Sequence, residues 1–128
     1  MIENVSAILL TQDKEIISLF SSTASELQTK IVEKPDFASF ILEMQENDYA
    51  LAICDCSKGF SECLKWVKVI KKMRPKVPLI VISSDIDKTS GGKLYEESIY
   101  HLCEKPIHKE YLKQILMASL TKSGQRSL

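Results

Sequence analysis

The sequence predicts a doubly wound α/β domain, in which helices cover both faces of a five-stranded parallel sheet. Three observations predict it. Short apolar runs such as "VSAILL" and "PLIVIS" are nearly continuous in aliphatic residues, as strands buried on both faces are. Between the runs lie longer segments whose apolar residues recur at helical spacing, so strand and helix alternate along the chain. The 128 residues, 45% hydrophobic and 27% charged, suffice for one domain with one core. Residues 1–121 are expected to form that domain, and the polar stretch 122–128 a flexible tail or the start of a linker.

Val5 to Leu10 reads as the first strand. Asp13 then opens a helix that carries Ile16, Ile17, Leu19, Phe20 and Leu27 at near-helical spacing. "TKIVEK" is a brief second strand. Pro35-Asp36 suits the start of the second helix, because a proline in the first turn loses no needed donor and an early acid complements the helix dipole. Phe37, Phe40, Ile41 and Met44 form its stripe. "YALAIC" is the third strand and ends at Asp55; "SECLKWVKVIKKM" follows, with Cys63, Leu64, Val67 and Ile70 on one face and lysines on the other. Pro75 and Pro78 bracket the exit into the fourth strand, "PLIVIS". The fourth helix, within "SDIDKTSGGKLYEES", has only Leu94 and Tyr95 as strong anchors, and Gly91-Gly92 should shorten or loosen it. "IYHLCE" is the fifth strand. After Lys105-Pro106 the last helix is expected to turn Tyr111, Leu112, Ile115, Leu116 and Leu120 inward.

Composition narrows the function. Lys+Arg and Asp+Glu each number 17, so no net field draws the chain to nucleic acid or to an anionic membrane. No apolar run approaches the roughly 20 residues of a membrane helix. The opening "MIENVSAILL" carries an acid where a signal peptide carries basic residues, so a cytoplasmic location is expected. Cys54, Cys56, Cys63 and Cys103 sit in or beside apolar segments and are expected as reduced thiols, buried as small hydrophobes. Cys54-x-Cys56 shares a strand face, but no second ligand pair at metal-binding spacing follows, which argues against zinc.

In doubly wound sheets the functional crevice lies beyond the carboxyl ends of the strands. Here those ends present Thr11, Gln12 and Asp13 after the first strand and Asp55 after the third. Ser83 and Ser84 follow the fourth, and Glu104 and Lys105 the fifth. From about residue 4 to about residue 120 the chain resembles the receiver (response-regulator, CheY-like) domains of bacterial two-component systems, which are flavodoxin-like three-layer sandwiches. "YALAICDC" is similar to the motif around that family's phosphoaccepting aspartate, which makes Asp55 the acceptor. Ser83 in "PLIVISS" matches the hydroxyl that bonds the phosphoryl group. Lys105-Pro106 in "CEKPI" matches the lysine that precedes a cis-proline. The resemblance implies a histidine kinase or phosphotransfer protein as donor, and Mg²⁺ together with the lysine to offset the incoming charge. It also implies a population shift read by a partner or output domain on the face of the fourth helix, fifth strand and fifth helix.

The chain departs from that family in three places. Thr11 and Gln12 stand where the family carries the acids that hold magnesium, and they supply neutral oxygens only. Asp55 and Asp13 are the carboxylates left for the metal, with Asp13 one residue late and equally suited to capping the first helix. Leu102 takes the place of the usual switch aromatic three residues before the lysine, with Tyr100 two residues earlier on the same expected strand face. The loop "CSKGFSE" lacks the family's proline, although Gly59 keeps a flexible turn. With two carboxylates absent, Lys105 can pair directly with Asp55. The alternative reading is therefore a degenerate pseudo-receiver that binds proteins without phosphorylation.

Other chemistries lack their motifs. A flavin or nucleotide site wants a phosphate-cradling loop after the first strand, and "TQDKEI" has no glycine. No G-x-S-x-G elbow is present, and His101 and His108 have no serine partner in register, so enzymatic turnover is not expected. Lys65, Lys68, Lys71, Lys72, Arg74 and Lys76 read as a solvated helix face; direct nucleic-acid binding is not expected.

Overall fold

The structure, a computed structural model, describes residues 6–84 and 86–125, without the side chains of 122–125. Ten elements alternate strictly: β1 (Ser6–Leu10), α1 (Lys14–Glu26), β2 (Lys30–Lys34), α2 (Phe37–Glu46), β3 (Leu51–Asp55), α3 (Phe60–Met73), β4 (Leu79–Ser83), α4 (Lys88–Glu96), β5 (His101–Glu104) and α5 (Lys109–Gln125). All strand pairs are parallel, and the sheet order is β2-β1-β3-β4-β5. The chain reverses its winding between β2 and β3, and the crevice of such a sheet lies at the carboxyl ends beside that reversal.

Strand alternation divides the core into two layers. Ile8, Ala52, Cys54 and Val81 meet Phe40 and Met44 of α2, Val67 and Ile70 of α3, and Leu94 of α4. Leu9, Ile53, Ile80 and Ile82 meet Ile16 and Phe20 of α1 with Leu112 and Leu116 of α5. Every residue of β4 is buried, as its unbroken apolar run requires, whereas the edge strand β2 keeps Lys30 and Glu33 in solvent. Asp13, Asp36 and Asp87 each cap a helix, accepting from the backbone N–H groups of Glu15, Ser39 and Ser90 at 2.9, 2.8 and 2.7 Å.

Several local expectations change. α4 forms through both glycines but is the shortest helix, nine residues, with Gly91 buried against the Leu102 side chain. Tyr111 is 43% exposed, not turned inward, because its hydroxyl engages His101 Nε2 at the sheet edge. Tyr100 precedes β5 and packs with the α1/α5 layer, while Leu102 packs with the α3/α4 layer; strand alternation does not extend back to Tyr100, so the two do not share a face. α5 continues to Gln125, into the stretch expected as tail. Val5 and residues 126–128 lie outside the described residues, as does Asp85 at the entry to the fourth helix.

The cysteines need a larger correction. Cys56 and Cys63 are not reduced thiols but form a disulfide, which the Cα separation of 5.3 Å permits. Only Cys54 and Cys103 are free and buried, as expected of all four.

Candidate functional site

Three parallel strands deliver their last residues to one crevice. β1 leads to Thr11, β3 ends in Asp55, and β5 leads to Lys105, whose peptide bond to Pro106 is cis. The sheet order sets β3 beside both β1 and β4, so Asp55 lies between the polar ends of its neighbours.

Asp55 is held from several sides. Its Oδ2 accepts the Thr11 hydroxyl at 2.6 Å and lies 3.4 Å from Lys105 Nζ. Its Oδ1 accepts both the N–H of Ser57, at 3.1 Å, and the Ser57 hydroxyl. With its side chain 7% exposed, the carboxylate exchanges most of its hydration for these four donors.

Asp13 does two things at once. One oxygen caps α1, and the other meets Lys105 Nζ at 2.8 Å. The Lys105 hydrogen bond, helped by the N–H groups of Glu15 and Ile16, outweighs desolvation and holds the Asp13 carboxyl below its ordinary range. Burial works against the Lys105 ammonium, but the bond to Asp13 and the charges of Asp55 and Asp13 together lift its pKa above that of a free lysine. Lys105 thus bridges two carboxylates.

Gln12 and Lys58 border the opening. Gln12 Nε2 donates to the Pro35 carbonyl at 3.0 Å, and Lys58 Nζ donates to Gln12 Oε1 at 2.8 Å. A cavity of about 350 Å³ remains beside the cluster. Its apolar lining is Leu10, Pro35 and Trp66, and Trp66 stacks on Phe37 with centroids 5.2 Å apart.

Of the expected site residues, the structure joins Asp55, Lys105, Asp13 and Thr11 in one network and sets Gln12 at its rim. Ser83 is not bonded into it. Its buried hydroxyl has no hydrogen-bond partner among the described residues and lines a neighbouring cavity of about 200 Å³ with Cys56 and Cys63. Sequence reasoning missed Ser57, Lys58 and Trp66. For Ser57 a signal existed: an aspartate two residues before a serine is a pattern for a side chain that accepts its own loop's N–H.

The donor set does not fit magnesium. Thr11 and Gln12 offer neutral oxygens, Asp13 uses both of its oxygens internally, and the Lys105 ammonium sits within reach of the two carboxylates that would ligate the ion. Among the described residues no group of three or more acids, histidines or cysteines is placed to hold a metal.

No protein-family model and no curated protein matches this sequence. Solved structures do match. A CheY-like response regulator receiver domain protein from Methanospirillum hungatei superposes with a TM-score of 0.86 at 11% identity, over 97% of this chain and 99% of that one. A response regulator from Thermotoga maritima gives 0.85 at 13% identity, over 92% and 98%. NtrX from Brucella abortus gives 0.81 at 18% identity over 97% of this chain, which spans only 29% of NtrX. The fold is that of CheY-like response-regulator receiver domains, and the sheet order and element count agree with it. No helix among the described residues is long and apolar enough to cross a membrane.

Proposed function

We propose that this chain is a receiver domain of two-component signalling, located in the cytoplasm, which accepts a phosphoryl group on Asp55 and passes the signal on by binding protein. The donor in this reading is a histidine kinase or phosphotransfer protein. The observation that carries it is the meeting of Asp55 with Lys105 Nζ, 3.4 Å away, at the carboxyl ends of two strands. A carboxylate is a competent acceptor where fixed positive charge faces the incoming group. An Asp55 oxygen attacks the phosphorus of a phosphohistidine, the N–P bond breaks, and its electron pair returns to the imidazole, which takes up a proton. Lys105 and Lys58 supply positive charge at the pocket, and the unpartnered Ser83 hydroxyl is a donor for a phosphoryl oxygen. The step uses up Asp55 and is no turnover on an external substrate. Tyr95 and Tyr111, both exposed beside β5, suit a protein-facing surface.

A second reading has its own support. Asp55 already accepts from Thr11, Ser57 and Lys105, so the pocket is electrostatically satisfied unmodified, as a pseudo-receiver that binds proteins without phosphorylation would be. Intact mass after incubation with acetyl phosphate, with and without Mg²⁺, separates the two. The expected result is a phosphoryl adduct on the native chain and none on Asp55→Asn. An adduct appearing only in Thr11→Asp/Gln12→Asp would overturn the first reading and turn the search to binding partners.

A further inference from the structure

The disulfide lies in the loop that holds the acceptor candidate. Cys56 follows Asp55 directly and is bonded to Cys63 in the first turns of α3, seven residues on. The ring so closed contains Ser57, which holds Asp55 Oδ1, and Lys58, which reaches Gln12. The end of β3, two contacts of the pocket and the start of α3 are therefore tied by one covalent bond.

Cys56 and Cys63 are buried, 7% and 1% exposed, and two cavities border them. The cavity of about 200 Å³ is lined by both cysteines, and a smaller one of about 120 Å³, lined by Cys56 and Trp66, lies beside it. Cys63 lies in the first turn of α3, and Lys58 stands in the loop between the two cysteines. A third sulfur, Cys54, is 3.6 Å from Cys56, but complete burial and the neighbouring Asp55 charge keep it protonated. It is a poor exchange partner for the bond.

We propose that Cys56–Cys63 is a reversible redox site for small thiols of the glutathione class, and that its state sets how Ser57 and Lys58 hold the Asp55 pocket. In the reductive direction a small thiolate attacks one of the two sulfurs. The S–S bond breaks, and the other cysteine departs as thiolate and takes a proton. A second small thiolate displaces the first as its own disulfide, leaving two cysteine thiols: two electrons and two protons gained by the protein, two electrons lost by the small thiols. The oxidised form of the same couple runs the reverse. Opening the ring frees the loop around Gly59, whether or not Asp55 ever carries phosphate.

The full chain, equilibrated in graded mixtures of reduced and oxidised glutathione, quenched, unfolded and alkylated, gives the state of the bond by intact mass. The expected count is four alkyl groups at the reducing end and two, on Cys54 and Cys103, at the oxidising end. Amide NMR shifts of Asp55, Ser57, Lys58 and Gly59 should move with the same midpoint while those of β2 stay still. Cys54→Ser keeps the transition and Cys63→Ser abolishes it. A constant two or a constant four labels across the series would overturn the proposal, as would a stable glutathione adduct in place of the internal bond. So would a transition that leaves the Ser57 and Lys58 amides unmoved.

Discussion

Thr11 and Asp55 stand 44 residues apart in the chain and share a hydrogen bond of 2.6 Å, from the Thr11 hydroxyl to Asp55 Oδ2. The same hydroxyl accepts the N–H of Asp13 at 3.0 Å. One buried oxygen therefore ties the end of β1 both to the end of β3 and to the start of α1.

Removing that oxygen leaves a buried carboxylate one donor short. Thr11→Val keeps the shape and is expected to lower stability by about 1–3 kcal/mol, the cost of an unmet bond to a charged group. Urea unfolding measures it, and Thr11→Ser, which keeps the hydroxyl, should recover most of the loss.

Restoring acids should create a metal site where none fits now. In Thr11→Asp/Gln12→Asp, new carboxylates join Asp55 and Asp13, and their mutual repulsion is relieved by a divalent cation. Trp66, the only tryptophan, lines the cavity and reports on it. Its emission should respond to millimolar-range Mg²⁺ in the variant and stay flat in the native chain, an order of magnitude set by the one or two carboxylates such an ion prefers. A response of equal size in the native chain would contradict the fit drawn above.

The Asp13–Lys105 pair gives stability a pH window. Asp13 is lowered from its ordinary 3.8, so its contribution is complete above that value and is lost as pH falls through the folded value. Lys105 is raised from 10.5, so its contribution is complete below that value and is lost as pH rises through the folded one. Asp13→Asn, which still caps α1, should flatten the acid limb, and Lys105→Met the alkaline limb, in denaturation midpoints recorded against pH. Both effects should shrink in high salt, since the Asp13 side chain is 35% exposed.

Gly92 sits inside α4, and a Cβ built there meets nothing within 4 Å. Gly92→Ala should therefore raise stability by about 0.5–1 kcal/mol, chiefly by restricting the unfolded chain. A rise in the urea midpoint with unchanged slope is the expected sign. A drop would mean that α4 needs a conformation alanine resists.

The expectations that failed share a cause. Spacing alone turns Tyr111 inward, but an amphipathic side chain at a stripe's margin goes where its hydroxyl finds a partner, and His101 supplies one at the sheet edge. Alternation assigns Tyr100 a face only where the chain is in the strand, and β5 begins one residue later. Cys56 and Cys63 read as ordinary core residues because cysteine in an apolar run carries no mark of its partner. Pairing became visible only when the turn after β3 brought the two Cα atoms to 5.3 Å.

By itself the sequence determined the alternation of five strands with five helices, the suitability of Asp13 for capping the first helix, and the polar residues waiting at the strand ends. These depend on hydrophobic period and on bonds within a few residues, which are local. The tertiary structure alone decided that Thr11 bonds Asp55, that Lys105 lies closer to Asp13 at 2.8 Å than to Asp55 at 3.4 Å, that Ser83 stays outside the network, and that Cys56 joins Cys63. The contacts, and the lack of one at Ser83, follow from sheet order, loop path and rotamer together. No period along the chain encodes those three.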